Sequence, residues 1–281
     1  RFNAADKNKS DNNFDISFNL NQQLSEHLNL EYGLAFKSRS PSYRERYLWL
    51  PLEATAGLAD GFQYFGNLSL KPEQATQFEF GVNYQNDRLS FSPHVFYHQI
   101  DDYIQGTVTT STPAPANTLT FNNVDAKLYG LDYELKYQLS EHLQLRNIGS
   151  YVRGKRRDIT DNLYRIAPPN TRIELDYSYN NWQFNVEMVA YQAQNNVASS
   201  NLEQKTAGYT IFNLGSSYSF NQTANVVFGI NNLFDKKYLD HLGGYNRNNL
   251  NFDVGFDASD RRANRLPGIG INAFATLYLH F

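Results

Sequence analysis

The chain has 281 residues, a net charge of −3 at pH 7 and no cysteine. Its charge balance provides no basic surface for nucleic acid, and the lack of cysteine excludes disulfides, thiolate zinc sites and cysteine nucleophiles. No run of about eighteen apolar residues occurs, which excludes transmembrane helices.

The apolar residues follow the period of β-strands. We predict eleven strands in chain order, near residues 13–22, 27–37, 74–85, 88–103, 121–138, 142–153, 170–179, 182–193, 207–219, 225–234 and 268–281. Apolar and polar residues alternate within them, as in Tyr129-Gly130-Leu131-Asp132, so each strand has one face suited to lipid and one suited to water. A mean hydropathy of −0.58 fits this arrangement, because only alternate strand residues of a membrane barrel meet lipid.

The connections between these strands alternate in length. Short polar turns lie at 24–26, 86–87, 139–141, 180–181 and 221–223, and long segments lie at 38–73, 104–120, 154–169, 194–206 and 235–267. Short turns on one rim and long loops on the other are typical of outer-membrane barrels. The sequence therefore predicts an all-β, antiparallel transmembrane β-barrel with about 11–12 strands present.

The last predicted strand runs to the chain terminus with an apolar face that includes Leu277, Leu279 and Phe281. This ending resembles the C-terminal insertion signal of bacterial outer-membrane barrels. Single-chain bacterial barrels have an even number of strands, so an odd count of eleven leads us to expect that 1–281 is the C-terminal part of a longer barrel. Residues 1–3 would then be the stub of a twelfth strand.

Five segments resemble conserved stretches of the TonB-dependent receptors, in the family's order. They are residues 36–47, 67–73, 123–132, 229–238 (Gly-Ile-Asn-Asn-Leu-Phe-Asp-Lys-Lys-Tyr) and 266–268. The resemblance implies a 22-stranded barrel in the Gram-negative outer membrane, plugged by an N-terminal domain that contacts the TonB complex. Residues 1–281 would form about half of that barrel, without the plug.

Residues 46–53, 57–61 and 238–242 are similar to the copper-receptor branch of that family. The resemblance implies energised uptake of a scarce ligand, with copper as the expected cargo and no resident cofactor. Two alternatives stay open: a receptor for a siderophore or another metal chelate, and a passive outer-membrane pore. An enzyme is disfavoured, because no nucleophile motif stands out near a histidine.

Two pairs of residues are candidate metal ligands. His94 and His98 share the water-facing side of one strand, but four residues along a strand span ~13 Å, too far for one ion. Asp240 and His241 begin the last long loop, with Asp253, Asp257 and Asp260 further on, and a His–carboxylate cluster there would suit a divalent metal. The alternatives are hydrogen-bonding histidines in the lumen and a solvated acidic loop.

The first long loop combines cationic and aromatic residues that suit ligand capture through cation–π contacts. The predicted capture residues are Arg44, Arg46, Tyr47, Trp49 and Tyr64. The alternative is a loop that packs its own aromatic side chains. Inside the predicted barrel, Arg172, Glu174, Asp176 and Glu187 are expected to form an ionic ladder that contacts the plug.

Overall fold

The computed structural model describes residues 3–49, 60–109, 118–245 and 265–280, together with the backbone of 52–53. These residues form one five-residue α-helix, α1 (Tyr43–Tyr47), one short 3-10 helix (Ser199–Asn201) and thirteen strands. The strands are β1 (Ile16–Ser25), β2 (Leu28–Arg39), β3 (Leu52–Glu53), β4 (Gln63–Phe65), β5 (Glu73–Gln85), β6 (Leu89–Val108), β7 (Thr118–Gln138), β8 (Leu143–Arg156), β9 (Asn170–Tyr179), β10 (Trp182–Tyr191), β11 (Tyr209–Ser219), β12 (Ala224–Asn231) and β13 (Asn272–Leu279).

Eleven of the strands form one antiparallel sheet in the order β1-β2-β5-β6-β7-β8-β9-β10-β11-β12-β13. Each strand pairs with its neighbour in the chain, apart from the small β3–β4 hairpin, whose β4 lies parallel to β7. Within the described residues β1 pairs with β2 alone and β13 with β12 alone. The sheet is therefore an open portion of a barrel wall.

All eleven predicted strands are present, with differences at their ends. β6 and β7 are 20 and 21 residues long, and both extend past the predicted strands into the long connection at 104–120 that joins them. The last strand is shorter than predicted, because its first residues bond to a loop instead of to β12. The Gly268 N–H donates to Tyr238 O, and the Ile271 N–H donates to the Asp235 carboxylate. The prediction also missed α1, β3 and β4.

The register places apolar side chains on one face of the sheet across many strands. Val95, Leu131 and Tyr151 form one row over β6, β7 and β8, and their exposed fractions are 44%, 36% and 41%. Such a continuous exposed apolar band is unfavourable in water, and it suits the lipid side of a barrel. We call this side the outward face and the opposite side the lumenal face.

The two rims of the sheet are built differently. At the short-turn rim, a side-chain oxygen caps two of the tight connections: Asn86 accepts from the N–H groups of Arg88 and Leu89, and Asn221 accepts from those of Thr223 and Ala224. Asx turns of this kind explain why the sequence located these turns well.

At the other rim the long connections fold onto the strand ends and enclose a buried core. We call the described parts of these connections, residues 40–49, 60–72, 157–169, 192–208 and 232–245, together with the projecting ends of β6 and β7 at 104–108 and 118–121, the loop cap. Its core consists of Phe62, Tyr64, Leu70, Ile104, Leu119 and Phe121. No helix among the described residues is long and apolar enough to cross a membrane.

Candidate functional site

The candidate site comprises the loop cap and the lumenal face beneath it. The cap begins at α1, whose N-terminus carries a capping box in which Ser42 and Glu45 bond each other's backbone N–H groups. Arg39 joins this turn to the barrel, since its guanidinium pairs with Glu45 at 2.9 Å and with Glu73 at 2.6 Å. The start of the loop is thereby fixed to the end of β2.

Arg46 of α1 is buried and makes structural contacts. Its guanidinium bonds both carboxylate oxygens of Asp11, at 2.9 and 3.0 Å, and also the Leu70 carbonyl at 2.9 Å. The bonds from Arg46 hold the pKa of the Asp11 carboxyl below its ordinary value. Arg46 thus ties the segment before β1 to the first loop.

Tyr64 is also buried, at the centre of the cap. Its hydroxyl donates to Asp60 at 2.5 Å, and the Tyr164 hydroxyl from a second loop donates to the same oxygen at 2.8 Å. Burial, with the Asp60 charge beside it, raises the pKa of Tyr64 well above its ordinary value. The pair of tyrosines on one carboxylate joins the first loop to the loop after β8.

The other predicted capture residues keep access to solvent. Arg44 is exposed, and Trp49 is 54% exposed. The Tyr47 ring lies beside the tilted ring of Tyr43, with 5.3 Å between the ring centroids, and the Tyr47 hydroxyl donates to the Lys7 carbonyl oxygen at 2.9 Å. Residues 50, 51 and 54–59, which complete the copper-branch segment, lie outside the described residues.

Asp240 and His241 point at different partners. The buried His241 ring has Thr206 Oγ1 3.0 Å from Nδ1 and Glu203 Oε1 3.1 Å from Nε2. Asp240 accepts from the Tyr209 hydroxyl at 2.9 Å and from the Leu242 N–H at 2.7 Å. A metal at His241 would have to displace one of these partners; the predicted co-ligands Asp253, Asp257 and Asp260 lie outside the described residues.

His94 and His98 both contact Glu79, a residue that the sequence analysis did not predict at this site. Their Nε2 atoms lie 3.7 and 3.2 Å from the two oxygens of that carboxylate. Glu79 is on β5, opposite Phe96, midway between the two histidines on β6. The histidines therefore share a carboxylate despite their separation along the strand. No group of three or more His, Asp or Glu side chains in the described segments has the arrangement of a metal site.

An ionic ladder crosses the lumenal face from β7 to β10. Its contacts are Lys136–Glu134 (3.2 Å), Arg146–Glu134 (2.8 Å), Arg146–Glu174 (3.5 Å), Arg172–Glu174 (3.8 Å) and Arg172–Glu187 (3.0 Å). The predicted ladder residue Asp176 instead accepts a bond from Asn185 at 2.8 Å. The prediction of the ladder did not include Glu134, Lys136 and Arg146. The alternation within β7 places Glu134 and Lys136 on the same face as Asp132, and this could have indicated both.

The predicted insertion signal lies on the outermost strand, β13. Leu277 and Leu279 pair with Val226 and Ala224 and are 58% and 52% exposed on the outward face. Phe281 lies outside the described residues. The two leucines thus continue the apolar band to the edge of the sheet.

Comparison with known proteins gives one family. The model of the TonB dependent receptor-like β-barrel matches residues 1–233. Among curated relatives, the heme/hemopexin utilization protein C of Haemophilus influenzae is 26% identical over 238 residues, with 74% of this chain and 32% of that protein covered. The ferric enterobactin receptor of Pseudomonas aeruginosa is 21% identical over 279 residues, with 91% and 37% covered. These relatives are named as receptors and uptake proteins, not as enzymes.

Solved structures give the same fold. The copper transporter OprC superposes with a TM-score of 0.78 at 23% identity, with 94% of this chain and 39% of that chain covered. A variant of the ferric enterobactin receptor of Pseudomonas aeruginosa superposes with a TM-score of 0.69 at 22% identity, with 95% and 40% covered. The chain spans about a third of the length of the curated relatives that it matches.

Proposed function

This chain belongs to the TonB-dependent receptor family as a portion of its β-barrel, and we propose that it serves an importer of the Gram-negative outer membrane. It would supply lipid-facing strands, part of the lumen wall and part of the outer capture surface. The observation that carries this proposal is the division of the sheet: a continuous apolar band faces outward, and a connected ionic ladder faces inward. A water-filled or plugged barrel in lipid needs both.

In this mechanism the chain performs no covalent chemistry. Ligand meets the loop cap, and Arg44, Tyr47 and Trp49 are the predicted capture residues that keep exposed surface. Force from the TonB complex, transmitted through an N-terminal plug, then opens the lumen. Glu134, Arg146, Glu174, Arg172 and Glu187 form the charged wall that such a plug would contact.

We propose a metal or a metal chelate as the cargo, with copper as the first candidate. Copper rests on the resemblance of residues 46–53 and 238–242 to the copper branch, while the likeness to OprC is one of fold. His94 and His98 on the lumenal face, and Asp240 and His241 in the cap, are proposed stations for the metal. All four have protein partners, so metal would compete with those contacts and bind only transiently.

A ferric siderophore is the second candidate cargo. It is favoured by relatives whose names describe siderophore receptors, among them the ferric enterobactin receptor and the probable siderophore receptor PirA of Acinetobacter baumannii. An exposed cationic and aromatic lip, with Arg44 and Trp49, would suit a large anionic chelate as well as a hydrated ion.

The test is cellular accumulation of radioactive copper by the intact receptor, with and without a working TonB protein. We expect accumulation that depends on both the receptor and TonB. Ferric siderophore uptake without copper uptake would assign the second cargo. Entry of copper that is independent of TonB would indicate a passive pore and would overturn the proposal.

A further inference from the structure

Three cations on the outward face form a patch that the uptake mechanism does not use. Lys127 and Lys155 lie directly opposite each other on β7 and β8, and Arg153 lies one row below, opposite Tyr129. Their parity is that of Leu131 and Tyr151, so they belong to the outward face and not to the lumen. We call Lys127, Arg153 and Lys155 the outward cation patch.

The patch lies at the long-loop edge of the apolar band. Three rows of outward residues on β6, β7 and β8 follow one another towards the long-loop rim. They are Val95, Leu131 and Tyr151, then Tyr97, Tyr129 and Arg153, then Gln99, Lys127 and Lys155. Rows on one face are ~7 Å apart. Apolar, aromatic and cationic side chains thus succeed one another within ~14 Å, which is the order of acyl chain, interface and headgroup in a lipid leaflet.

The cations of the patch have no carboxylate partners among the described residues, in contrast to those of the lumenal ladder. The neighbouring acids have other partners: Asp158 pairs with Arg156, Asp101 pairs with Arg157, and the Asp125 carboxylate accepts from the Asp102 backbone N–H. Like charges directly opposite on paired strands are destabilising. The Lys127–Lys155 pair therefore lacks a protein anion that would compensate it.

The surface around the patch is concave. The charged residues that line an open cavity of about 660 Å³ are Lys127, Lys155, Arg156, Arg157, Asp158 and Asp161. Of its two carboxylates, Asp158 pairs with Arg156 and Asp161 accepts hydrogen bonds from Ser199 and Ser200. A second hollow of about 530 Å³ runs from Lys127 down past Tyr97, Tyr129 and Tyr151. The two hollows share Lys127, so a headgroup in the upper one would be continuous with an acyl chain in the lower one.

On the described strands beside the patch, the same row continues without a cation through Gln99 on β6 and Thr76 on β5. Further along the wall, the outward residues near the long-loop ends of β10 and β11 are Ala190 and Thr210. The charge is thus concentrated at one place along the wall. A general preference for cations at the interface would distribute them over many strands.

We propose that the outward cation patch binds the phosphate groups of an outer-leaflet lipid whose acyl chains lie on the tyrosine-lined hollow below. Phosphate accepts charge-assisted hydrogen bonds from Lys and Arg and would relieve the Lys127–Lys155 repulsion. The inference rests on the proposed position of the wall in an outer membrane, and it is independent of the cargo.

The test is a binding titration of the intact receptor, purified in detergent, with bisphosphorylated lipid A. The variant Lys127→Gln with Lys155→Gln removes two charges from the patch. The control Lys71→Gln with Lys205→Gln removes two exposed cap charges. We expect the patch variant to bind at least about tenfold more weakly, because it loses charge-assisted hydrogen bonds to phosphate, and we expect the control to bind like the parent.

Two further arms decide the chemistry. Enzymatically dephosphorylated lipid A should bind the parent receptor weakly, with about the affinity that bisphosphorylated lipid A has for the patch variant. Inorganic phosphate alone should not compete with bisphosphorylated lipid A for the parent receptor. Equal binding of both lipids, equal losses in the two variants, or full competition by free phosphate would overturn the proposal.

Lys127→Arg with Lys155→Arg should restore binding, and normal heat-modifiable migration of each variant shows that its barrel is folded. TonB-dependent uptake by the patch variant should continue, which separates this proposal from the proposed function.

Discussion

The loop cap and the barrel wall are stabilised in opposite ways. In the cap, Tyr64 and Leu119 are completely buried, and polar side chains such as Asp60 are satisfied inside the protein. In the wall, large apolar side chains such as Phe18 and Leu277 are more than half exposed. The cap therefore has the interior of a water-soluble protein, while the wall lacks one and depends on the lipid around it.

This difference shows how one chain serves two solvents. The wall obtains its backbone bonds from strand pairing, so its side chains are free to vary with the medium that each face meets. The cap must fold in water from long loops, and it does so by connecting distant segments through single polar residues. Substitutions should accordingly disturb the cap locally and leave the wall intact.

The largest effect is expected from Tyr64→Ala. It removes a fully buried ring and its hydroxyl bond to Asp60, and such truncations cost ~3–5 kcal/mol. The cap should lose protection in hydrogen exchange while the barrel keeps its heat-modifiable migration. Tyr43→Ala is the matched control, because Tyr43 is 78% exposed and should shift stability by less than ~0.5 kcal/mol. Loss of protection in the strands as well would contradict the independence of cap and wall.

A slightly smaller effect is expected from Arg46→Ala, about 3 kcal/mol, because it leaves a nearly buried carboxylate without its partner. The segment before β1 should become sensitive to protease in the intact receptor. Asp11→Ala combined with Arg46→Ala should cost less than the sum of the single variants. Additive costs would show that the two side chains do not act as a pair.

The contact between the loops after β8 and β10 should depend on pH through Asp161. Burial acts to raise the pKa of this carboxyl, but hydrogen bonds from Ser200 and Ser199 outweigh it and lower the pKa from 3.8 to about 2. A lowered folded-state pKa means that the stabilisation is complete above the unfolded value and is lost as pH falls from about 3.8 towards about 2. Hydrogen exchange or protease sensitivity of residues 197–203 should rise in that window, and Asp161→Asn should abolish the transition.

The smallest effect is expected from Glu174→Gln in the lumenal ladder. The ladder lies in the wall, where strand pairing holds the fold, and its pairs with Arg146 and Arg172 are long at 3.5 and 3.8 Å. Ion pairs that water can reach contribute ~0.2–1 kcal/mol, so the unfolding temperature of the barrel should change little. A large loss would mean that the ladder stabilises the wall itself, and the contrast with the cap would weaken.

The wall was predictable from sequence, and the cap was not. Alternation within strands and short Asx turns are local signals, and they located all eleven long strands, including Tyr129-Gly130-Leu131-Asp132. The cap depends on contacts between residues far apart in the chain, such as Tyr64 with Tyr164 and Arg46 with Asp11. In the sequence of a loop, aromatic and cationic residues that pack inside the cap cannot be told from those exposed on its surface. The prediction therefore grouped Tyr64 and Arg46 with Arg44 and Trp49 as capture residues.

Register explains the remaining differences at the candidate site. The spacing of His94 and His98 gives their distance along β6, but it does not give the residue that the neighbouring strand inserts between them. That residue, Glu79, follows only from the pairing of β5 with β6. The partners of His241 come from the loop around Glu203 and Thr206, which no local pattern indicates.

The most direct test of the account is cysteine scanning from residue 131 to residue 135 in an otherwise cysteine-free intact receptor reconstituted in lipid. A fluorophore on each cysteine would be quenched by nitroxide lipid or by a water-soluble quencher. We expect strict alternation, with lipid quenching at positions 131, 133 and 135 and aqueous quenching at 132 and 134. Uniform quenching by the aqueous reagent along all five positions would contradict a wall that faces lipid, and with it the division between wall and cap.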